Sequence, residues 1–233
     1  MKNRPAYRLL AYGSLTIVAV ISVIVVQTLR HLPETPAPER GSVHCVGANA
    51  TFQCSMLRFD RLTRELGPRV AIGSLKSEYR RNAEVVTDCH QLAHVIGNAS
   101  AELHGGDIAA AFKEGDSFCW SGYYHGVVER ATADRGEAAL EGDMNAHCAK
   151  VVGKERYSFD YFNCVHGLGH GVMAVKEDDL FSSLPVCDRL LGDWERKSCY
   201  GGVFMENVMV DNRTHDSKFL KKDDLMYPCT AVE

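Results

Sequence analysis

Apolar positions divide the chain into one long uncharged run near its N-terminus and a series of segments with helical spacing further along. Between Arg8 and Arg30 no residue is charged, and a helix of ~20 apolar residues is long enough to cross the hydrocarbon core of a bilayer. Beyond this run the apolar residues recur at intervals of three and four, as in Phe52, Met56 and Phe59. The sequence therefore predicts a mainly α protein, with an N-terminal transmembrane helix followed by an all-α domain.

Basic residues before the uncharged run set its expected orientation. Lys2, Arg4 and Arg8 precede the run, whereas the segment after it mixes both signs, so the positive-inside rule places residues 1–8 in the cytoplasm. The run is also longer than the ~7 to 15 apolar residues of a cleaved signal peptide. We therefore expect residues 9–29 to form an uncleaved signal anchor, with the rest of the chain in the periplasm or outside the cell.

A proline-rich segment follows the predicted anchor. Pro33, Pro36 and Pro38 are typical of an extended, semi-rigid linker, and they predict a stalk over residues 30–43. The remaining residues, 44–233, are expected to form a helical ectodomain rich in cysteine and histidine, held at the membrane by the one N-terminal helix.

Glycine and proline divide the ectodomain into longer and shorter helices. The first helical pattern stops at Gly67-Pro68, a pair that rarely continues a helix. Beyond that stop, further breaks at glycine predict helices over residues 75–103, 108–113, 117–132, 143–152, 159–176, 185–191 and 194–209.

The longer helices share a degenerate repeat. Segments 119–126 and 164–171 both match the frame Cys-x-x-Gly-x-x-His-Gly, a decayed copy begins at Cys199, and a looser one begins at Cys89. The cysteines that begin these copies are 30, 45 and 35 residues apart, which is the size of a two-helix repeat unit. We therefore expect helical hairpins arranged as a short solenoid or bundle.

All nine cysteines lie beyond the predicted anchor, where an oxidising compartment permits disulfides. Two pairs are nearly equidistant from the turn between their members, so each pair would face across a helical hairpin, within the Cα separation of about 7 Å that a disulfide requires. The predicted disulfides are Cys148–Cys164 and Cys187–Cys199. The pairing of the others is open: Cys45, Cys54, Cys89, Cys119 and Cys229. Two alternatives apply to Cys229. Either it belongs to a repeat array that is cut short before its partner, or it pairs back with one of the other four cysteines.

Glycines recur four residues apart within the predicted helices. Inside a helix glycine costs up to ~1 kcal/mol relative to alanine, so its repetition on one face indicates the close approach of a neighbouring helix or of a ligand. The positions concerned are Gly97 with Ala101, Gly122 with Gly126, and Gly167 with Gly171.

Pairs of potential metal ligands occur one helical turn apart in three successive long helices. Residues at positions i and i+4 share one face of a helix, and imidazoles or carboxylates so placed can hold zinc, copper or iron, with facing helices completing the coordination sphere. The pattern predicts a transition-metal or haem site. Alternatively, these histidines are structural and bond to neighbouring backbone. The pairs are His90 with His94, His125 with Glu129, and His166 with His170, and Glu206 falls near the corresponding place in the fourth long helix.

Other features exclude several classes of function. A net charge of −4 with mixed signs is not typical of a nucleic-acid-binding protein. The His-Glu-x-x-His, Gly-x-Ser-x-Gly, phosphate-loop and Cys-x-x-Cys motifs are absent, as is the Cys-x-x-Cys-His motif of covalent haem attachment; enzymatic activity is left undecided. Two hypotheses remain: a membrane-anchored extracytoplasmic helical repeat protein that binds a transition metal or haem, and a non-catalytic, disulfide-stapled scaffold that binds a protein partner.

Overall fold

Most of the helices expected from the apolar spacing are present, although several of their ends lie elsewhere and residues 143–152 form no α-helix. The computed structural model describes residues 50–209 and 217–232, and in these ranges the chain is helical, without strands. The helices are α1 (Ala50–Leu66), α2 (Pro68–Tyr79), α3 (Ala83–Leu103), α4 (Ile108–Phe112), α5 (Gly122–Ala133), α6 (Gly136–Glu141), α7 (Phe159–Val175), α8 (Leu180–Cys187) and α9 (Asp193–Val208), with 3-10 turns at Met144–Ala146, Lys154–Arg156 and Cys229–Ala231.

A glycine and a proline separate α1 from α2, as the sequence predicts. Gly67 has a φ of 86°, a left-handed conformation that suits glycine. Pro68 begins α2, where its missing N–H removes no helical hydrogen bond. The prediction of one helix over residues 75–103 is wrong, because Asn82 starts the separate helix α3 by accepting a hydrogen bond from the N–H of Glu84.

Three consecutive residues in the left-handed region delay the start of α5. Cys119, Trp120 and Ser121 have φ values of 57°, 52° and 62°, so the helix predicted over residues 117–132 begins only at Gly122. Such φ values are uncommon for residues with a Cβ and persist where the surrounding structure holds them. Residues 119–121 are called the left-handed turn from here on.

The structure also differs from two of the predicted short helices. Residues 143–152 form a 3-10 turn followed by irregular turns, and not an α-helix. The helix predicted over residues 185–191 is α8, which begins five residues earlier at Leu180. Asp179 sets that start because its carboxylate accepts a hydrogen bond from the N–H of Ser182, and Pro185 lies inside the helix.

The four long helices pack side by side in chain order. Helix α3 contacts α5, α5 contacts α7, and α7 contacts α9, while α1 and α2 pack against α3. The short helices α4 and α8 lie against their long neighbours. Side chains such as Leu92, Val127 and Leu168 are fully buried between the helices, and each contributes about 1.5–3 kcal/mol to the hydrophobic stabilisation of the fold. This consecutive packing agrees with the repeat frame in the sequence.

Glycines allow neighbouring long helices to approach at backbone distance. A Cβ atom added at Gly126 would lie 2.2 Å from the carbonyl oxygen of His94, and one added at Gly202 would lie 2.0 Å from the carbonyl oxygen of His166. No side chain can occupy these positions without moving a helix. Of the two roles considered for such glycines, close helix packing is the one that the structure shows.

Both disulfides predicted from mirror placement about a turn are present. Cys148–Cys164 and Cys187–Cys199 have Cα separations of 5.9 Å and 5.7 Å. A third disulfide, Cys89–Cys119, joins α3 to the left-handed turn.

The two remaining described cysteines differ in whether they form a disulfide. Cys54 is also disulfide-bonded, whereas Cys229 is an exposed free thiol. The alternative in which Cys229 pairs back to Cys89 or Cys119 is therefore wrong, because those two cysteines are bonded to each other.

Within residues 50–209 and 217–232, no helix is both long enough and apolar enough to span a membrane. These described residues all belong to one compact unit. The predicted cytoplasmic segment, signal anchor and stalk lie outside the described residues and stay predictions: 1–8, 9–29 and 30–43.

Candidate metal centre

All six predicted ligand side chains belong to one cluster between three long helices. The i, i+4 spacing places each pair on one face of its helix, and the close approach at Gly126 brings two of these faces together. We call His90 and His94 on α3 the first pair, His166 and His170 on α7 the second pair, and His125 on α5 the central histidine.

The first pair has its two Nε2 atoms facing each other and its two Nδ1 atoms bonded to oxygen. The Nε2 atoms of His90 and His94 are 3.0 Å apart. Nδ1 of His90 donates to the carbonyl oxygen of Cys119 at 2.9 Å, and Nδ1 of His94 donates to Oε2 of Glu129 at 2.9 Å. Since a carbonyl or carboxylate oxygen accepts only, both Nδ1 atoms carry a proton.

The second pair is built in a similar way between α7 and α9. The Nε2 atoms of His166 and His170 are 3.4 Å apart, and Nδ1 of His170 donates to Oε2 of Glu206 at 2.5 Å. Nε2 of His166 also lies 3.4 Å from Sδ of Met205. Glu206 thus accepts a hydrogen bond from the second pair, as Glu129 does from the first pair.

The central histidine lies between the two pairs. Its ring centroid is 4.6 Å from that of His170, against which it stacks, and 5.5 Å from that of His90. Its Nδ1 atom is buried without a hydrogen-bond partner. Two groups of three histidines therefore have one ligand atom each within 4.8 Å of the others, and His125 belongs to both: His90, His94 and His125; His125, His166 and His170.

Burial keeps most of these rings neutral. It lowers the pKa of His90 and of His166 to about 4. Burial and the neighbouring histidines hold the pKa of His125 and of His170 well below the usual value. For His94 burial also opposes the charge, but the hydrogen bond and charge of Glu129 outweigh it and raise the pKa. Four of the five rings are thus neutral at pH 7, the form in which imidazole binds metals.

A cavity of about 300 Å³ reaches one side of the cluster. Its lining includes His94 and His170 together with their carboxylate partners, Glu129 and Glu206. The side chain of His94 is 13% exposed and that of Glu206 is 20% exposed, so the cluster is buried without being sealed. The cavity gives an ion or a small molecule a path to His94, whereas the side chain of His170 is fully buried.

Sequence reasoning misses two contacts of the cluster. The carbonyl of Cys119 reaches His90 from the left-handed turn, which the helical spacing does not predict. Met205 carries a signal that could have been used: it stands six residues after Cys199, the place that His170 takes relative to Cys164.

No protein-family model, curated protein or solved structure matches this chain. Among residues 50–209 and 217–232, the two groups of three histidines have ligand atoms close enough that they could hold a metal ion.

Proposed function

We propose that this chain binds a first-row transition metal ion through the Nε2 atoms of its clustered histidines. The observation that carries the proposal is the first pair, in which both Nδ1 atoms donate to oxygen while the two Nε2 atoms lie 3.0 Å apart. A histidine that ligates a metal almost always donates its other ring N–H to a carboxylate or a backbone carbonyl. His94 has the carboxylate partner, and His90 has the carbonyl partner.

The separation of the Nε2 atoms suits a shared ion. Zn–N bonds are ~2.0–2.1 Å long, so two nitrogens on one ion lie about 3.3 Å apart at the tetrahedral angle and about 2.9 Å apart at a right angle. The two pairs have separations of 3.0 Å and 3.4 Å. An ion would therefore fit either pair with little movement of the side chains.

The same distances favour a bare ion over haem. Two histidines that ligate one haem iron lie on opposite faces of the macrocycle, with their nitrogens about 4 Å apart, since each bond to iron is ~2 Å long. Within each pair the Nε2 atoms are closer than that, and the ring centroids are 4.6 Å and 5.2 Å apart. A porphyrin would have to force the two rings of a pair apart.

Imidazole ligands suit zinc, copper, iron and nickel, and we take zinc as the first ion to test. Three histidines leave the fourth position of a tetrahedral zinc ion open, as in catalytic zinc sites. The cavity at His94 would give a small ligand access to that position at the first pair.

The proposal is tested on the full-length chain purified in detergent. After exposure to Zn²⁺ and removal of excess ion by gel filtration, elemental analysis should find bound zinc, and Co²⁺ should give the visible absorption of a four-coordinate site. His94→Ala should lower the affinity of the first pair for zinc by more than about 100-fold, because loss of a ligand exceeds the 10–100-fold effect of losing a ligand's partner. The matched control is His104→Ala, a histidine at the end of α3 whose ring bonds to the carbonyl of Ser100.

The alternative, a disulfide-stapled scaffold with structural histidines, makes the opposite prediction. The first pair would then share a proton, with His94 as the charged donor, and the folded chain would hold no Zn²⁺, Cu²⁺ or Co²⁺. Chelator would leave its melting temperature unchanged, and that result overturns the metal proposal. A metal protein should instead melt at a lower temperature in chelator, because an ion bound only by the native state stabilises it.

We also propose that residues 9–29 anchor the chain, with the cluster on the oxidising side of the membrane. Support comes from the uncharged run in the sequence and from the disulfides, which persist in oxidising compartments. In intact cells a membrane-impermeant thiol reagent should label Cys229, and the label should be absent from Cys229→Ser. Labelling of Cys229 only after lysis, or recovery of the chain in the soluble fraction, would contradict this topology.

A further inference from the structure

Two half-sites of the same construction surround the central histidine. In each, the second histidine of a pair donates through Nδ1 to a glutamate on the next long helix, 35 residues away in one case and 36 in the other. We call His90, His94 and Glu129 the first half-site, and His166, His170 and Glu206 the second half-site.

The first histidine of each pair has a glycine beside its ring, although Nδ1 of His90 donates to the carbonyl oxygen of Cys119 and Nδ1 of His166 is buried without a hydrogen-bond partner. A Cβ atom at Gly122 would lie 3.2 Å from Nδ1 of His90, and a Cβ atom at Gly201 would lie 3.3 Å from Nδ1 of His166. Both glycines come from the long helix that follows the pair. The two pairs therefore share a glutamate on the second histidine and a glycine beside the first, and they differ in the partner of Nδ1 on the first histidine.

The central histidine belongs to neither half-site alone. It completes a group of three potential ligands with the first pair and another with the second pair. An imidazole has two ring nitrogens that can each bind a metal once deprotonated, and Nδ1 of His125 is buried without a hydrogen-bond partner. A single ion would use one half-site and leave an equivalent one empty.

We propose that the cluster holds two metal ions, one at each half-site, with His125 as a bridging ligand between them. This inference rests on the proposed function, because it specifies the number of ions at the same cluster. When His125 binds the second ion, its remaining ring proton is released to solvent. Glu129, Glu206 and the bridging imidazolate then place three negative charges against the four positive charges of two divalent ions.

Stoichiometry is the first test. The full-length chain, stripped with chelator and titrated with Zn²⁺, should bind two ions, and so should His104→Ala. His94→Ala removes a ligand of the first half-site, and His170→Ala removes a ligand of the second, so each variant should bind one. The double variant should bind none, and near-ultraviolet circular dichroism and disulfide mapping should establish that all of them are folded.

Bridging is the second test. With Cu²⁺ in both half-sites, exchange through the imidazolate should remove most of the electron paramagnetic resonance signal that two isolated ions would give. In His94→Ala the single remaining Cu²⁺ ion should give its full signal.

The outcomes separate this inference from the proposed function. A wild-type chain that binds no ion refutes the proposed function, whereas one that binds a single ion refutes only the two-ion site. Two Cu²⁺ ions that give the full signal of independent centres overturn the bridge. Because the decisive counts are made on the wild-type chain, they do not depend on whether any variant folds.

Discussion

Nδ1 of His94 lies 2.9 Å from Oε2 of Glu129, across the interface between α3 and α5. This hydrogen bond fixes which nitrogen of His94 carries the proton and which one is free to bind an ion. Replacing the carboxylate by an amide removes the charge that favours this arrangement. We expect Glu129→Gln to weaken zinc binding at the first half-site by about 10–100-fold, measured by competition with a chelator.

The control for this variant is a carboxylate outside the cluster. Glu102 on α3 forms ion pairs with Arg64 and Arg130, so Glu102→Gln removes a comparable charge without touching a histidine. It should leave zinc affinity within a few-fold of the wild type. If Glu129→Gln and Glu102→Gln lose the same amount of zinc affinity, the effect comes from the net charge of the protein and not from the hydrogen bond to His94.

The glycine contact between α7 and α9 predicts a large effect on stability. In Gly202→Ala the new methyl group would lie 2.0 Å from the carbonyl oxygen of His166, so the two helices must separate. We therefore expect the free energy of unfolding to fall by about 1–3 kcal/mol or more. Gly73 lies in α2 with nothing within 4 Å of an added Cβ. Gly73→Ala should therefore raise the free energy of unfolding by up to about 1 kcal/mol. Urea unfolding of the Gly202→Ala and Gly73→Ala variants measures the difference.

The hairpin disulfides should each contribute measurably to stability. Cys187 and Cys199 are 12 residues apart in sequence, and closing a loop of this length stabilises by about 3 kcal/mol in the chain-entropy model. The double variant Cys187→Ala with Cys199→Ala should lose about 2–4 kcal/mol in denaturant unfolding. Peptide mapping without reduction should find Cys89–Cys119 and Cys148–Cys164 intact, and scrambled pairings would count against independent hairpins.

The metal-free chain should lose stability on acidification. In the native state His90 and His166 have pKa values of about 4, whereas an unfolded histidine titrates near ~6.5. Between these values the unfolded state binds more protons, so stability falls as pH falls from about 6.5 towards 4, by at most about 1.4 kcal/mol per pH unit for each histidine. Urea unfolding in chelator across this range measures the slope, and His166→Gln should reduce it.

Met205 predicts a preference between ions at the second half-site. Its Sδ atom lies 3.4 Å from Nε2 of His166, and thioether sulfur is a soft ligand that suits Cu(I) better than Zn²⁺. Met205→Leu keeps the volume and removes the sulfur, so it should weaken Cu(I) binding and leave Zn²⁺ binding unchanged. Competition with a chelator specific for each ion makes the comparison. Equal changes for both ions would indicate a packing role for Met205.

The ligand pairs were predictable because their placement is local. Residues four apart share a helix face whatever the tertiary structure, so His90 with His94 and His166 with His170 could be read from spacing alone. The two hairpin disulfides were accessible for the same reason, since each closes across a single turn.

The parts that sequence reasoning misplaces depend on caps and tertiary contacts. The break before α3 depends on the Asn82 side chain, and the start of α8 on that of Asp179. The late start of α5 requires three residues in the left-handed region, which the surrounding structure must impose. His125 lies close to both pairs because the helices pack closely. The spacing of residues within one helix cannot predict this.

The disulfide at the left-handed turn also predicts an order for the oxidation and metal loading of the chain. His90 follows Cys89 directly, and the carbonyl that orients its ring belongs to Cys119, so the two residues of one disulfide flank a ligand and its acceptor. A newly made, reduced chain lacks the covalent link that holds these two positions together. If the cluster binds metal as we propose, oxidation should precede metal loading, and on the proposed topology this order would keep the centre empty until the chain has crossed the membrane.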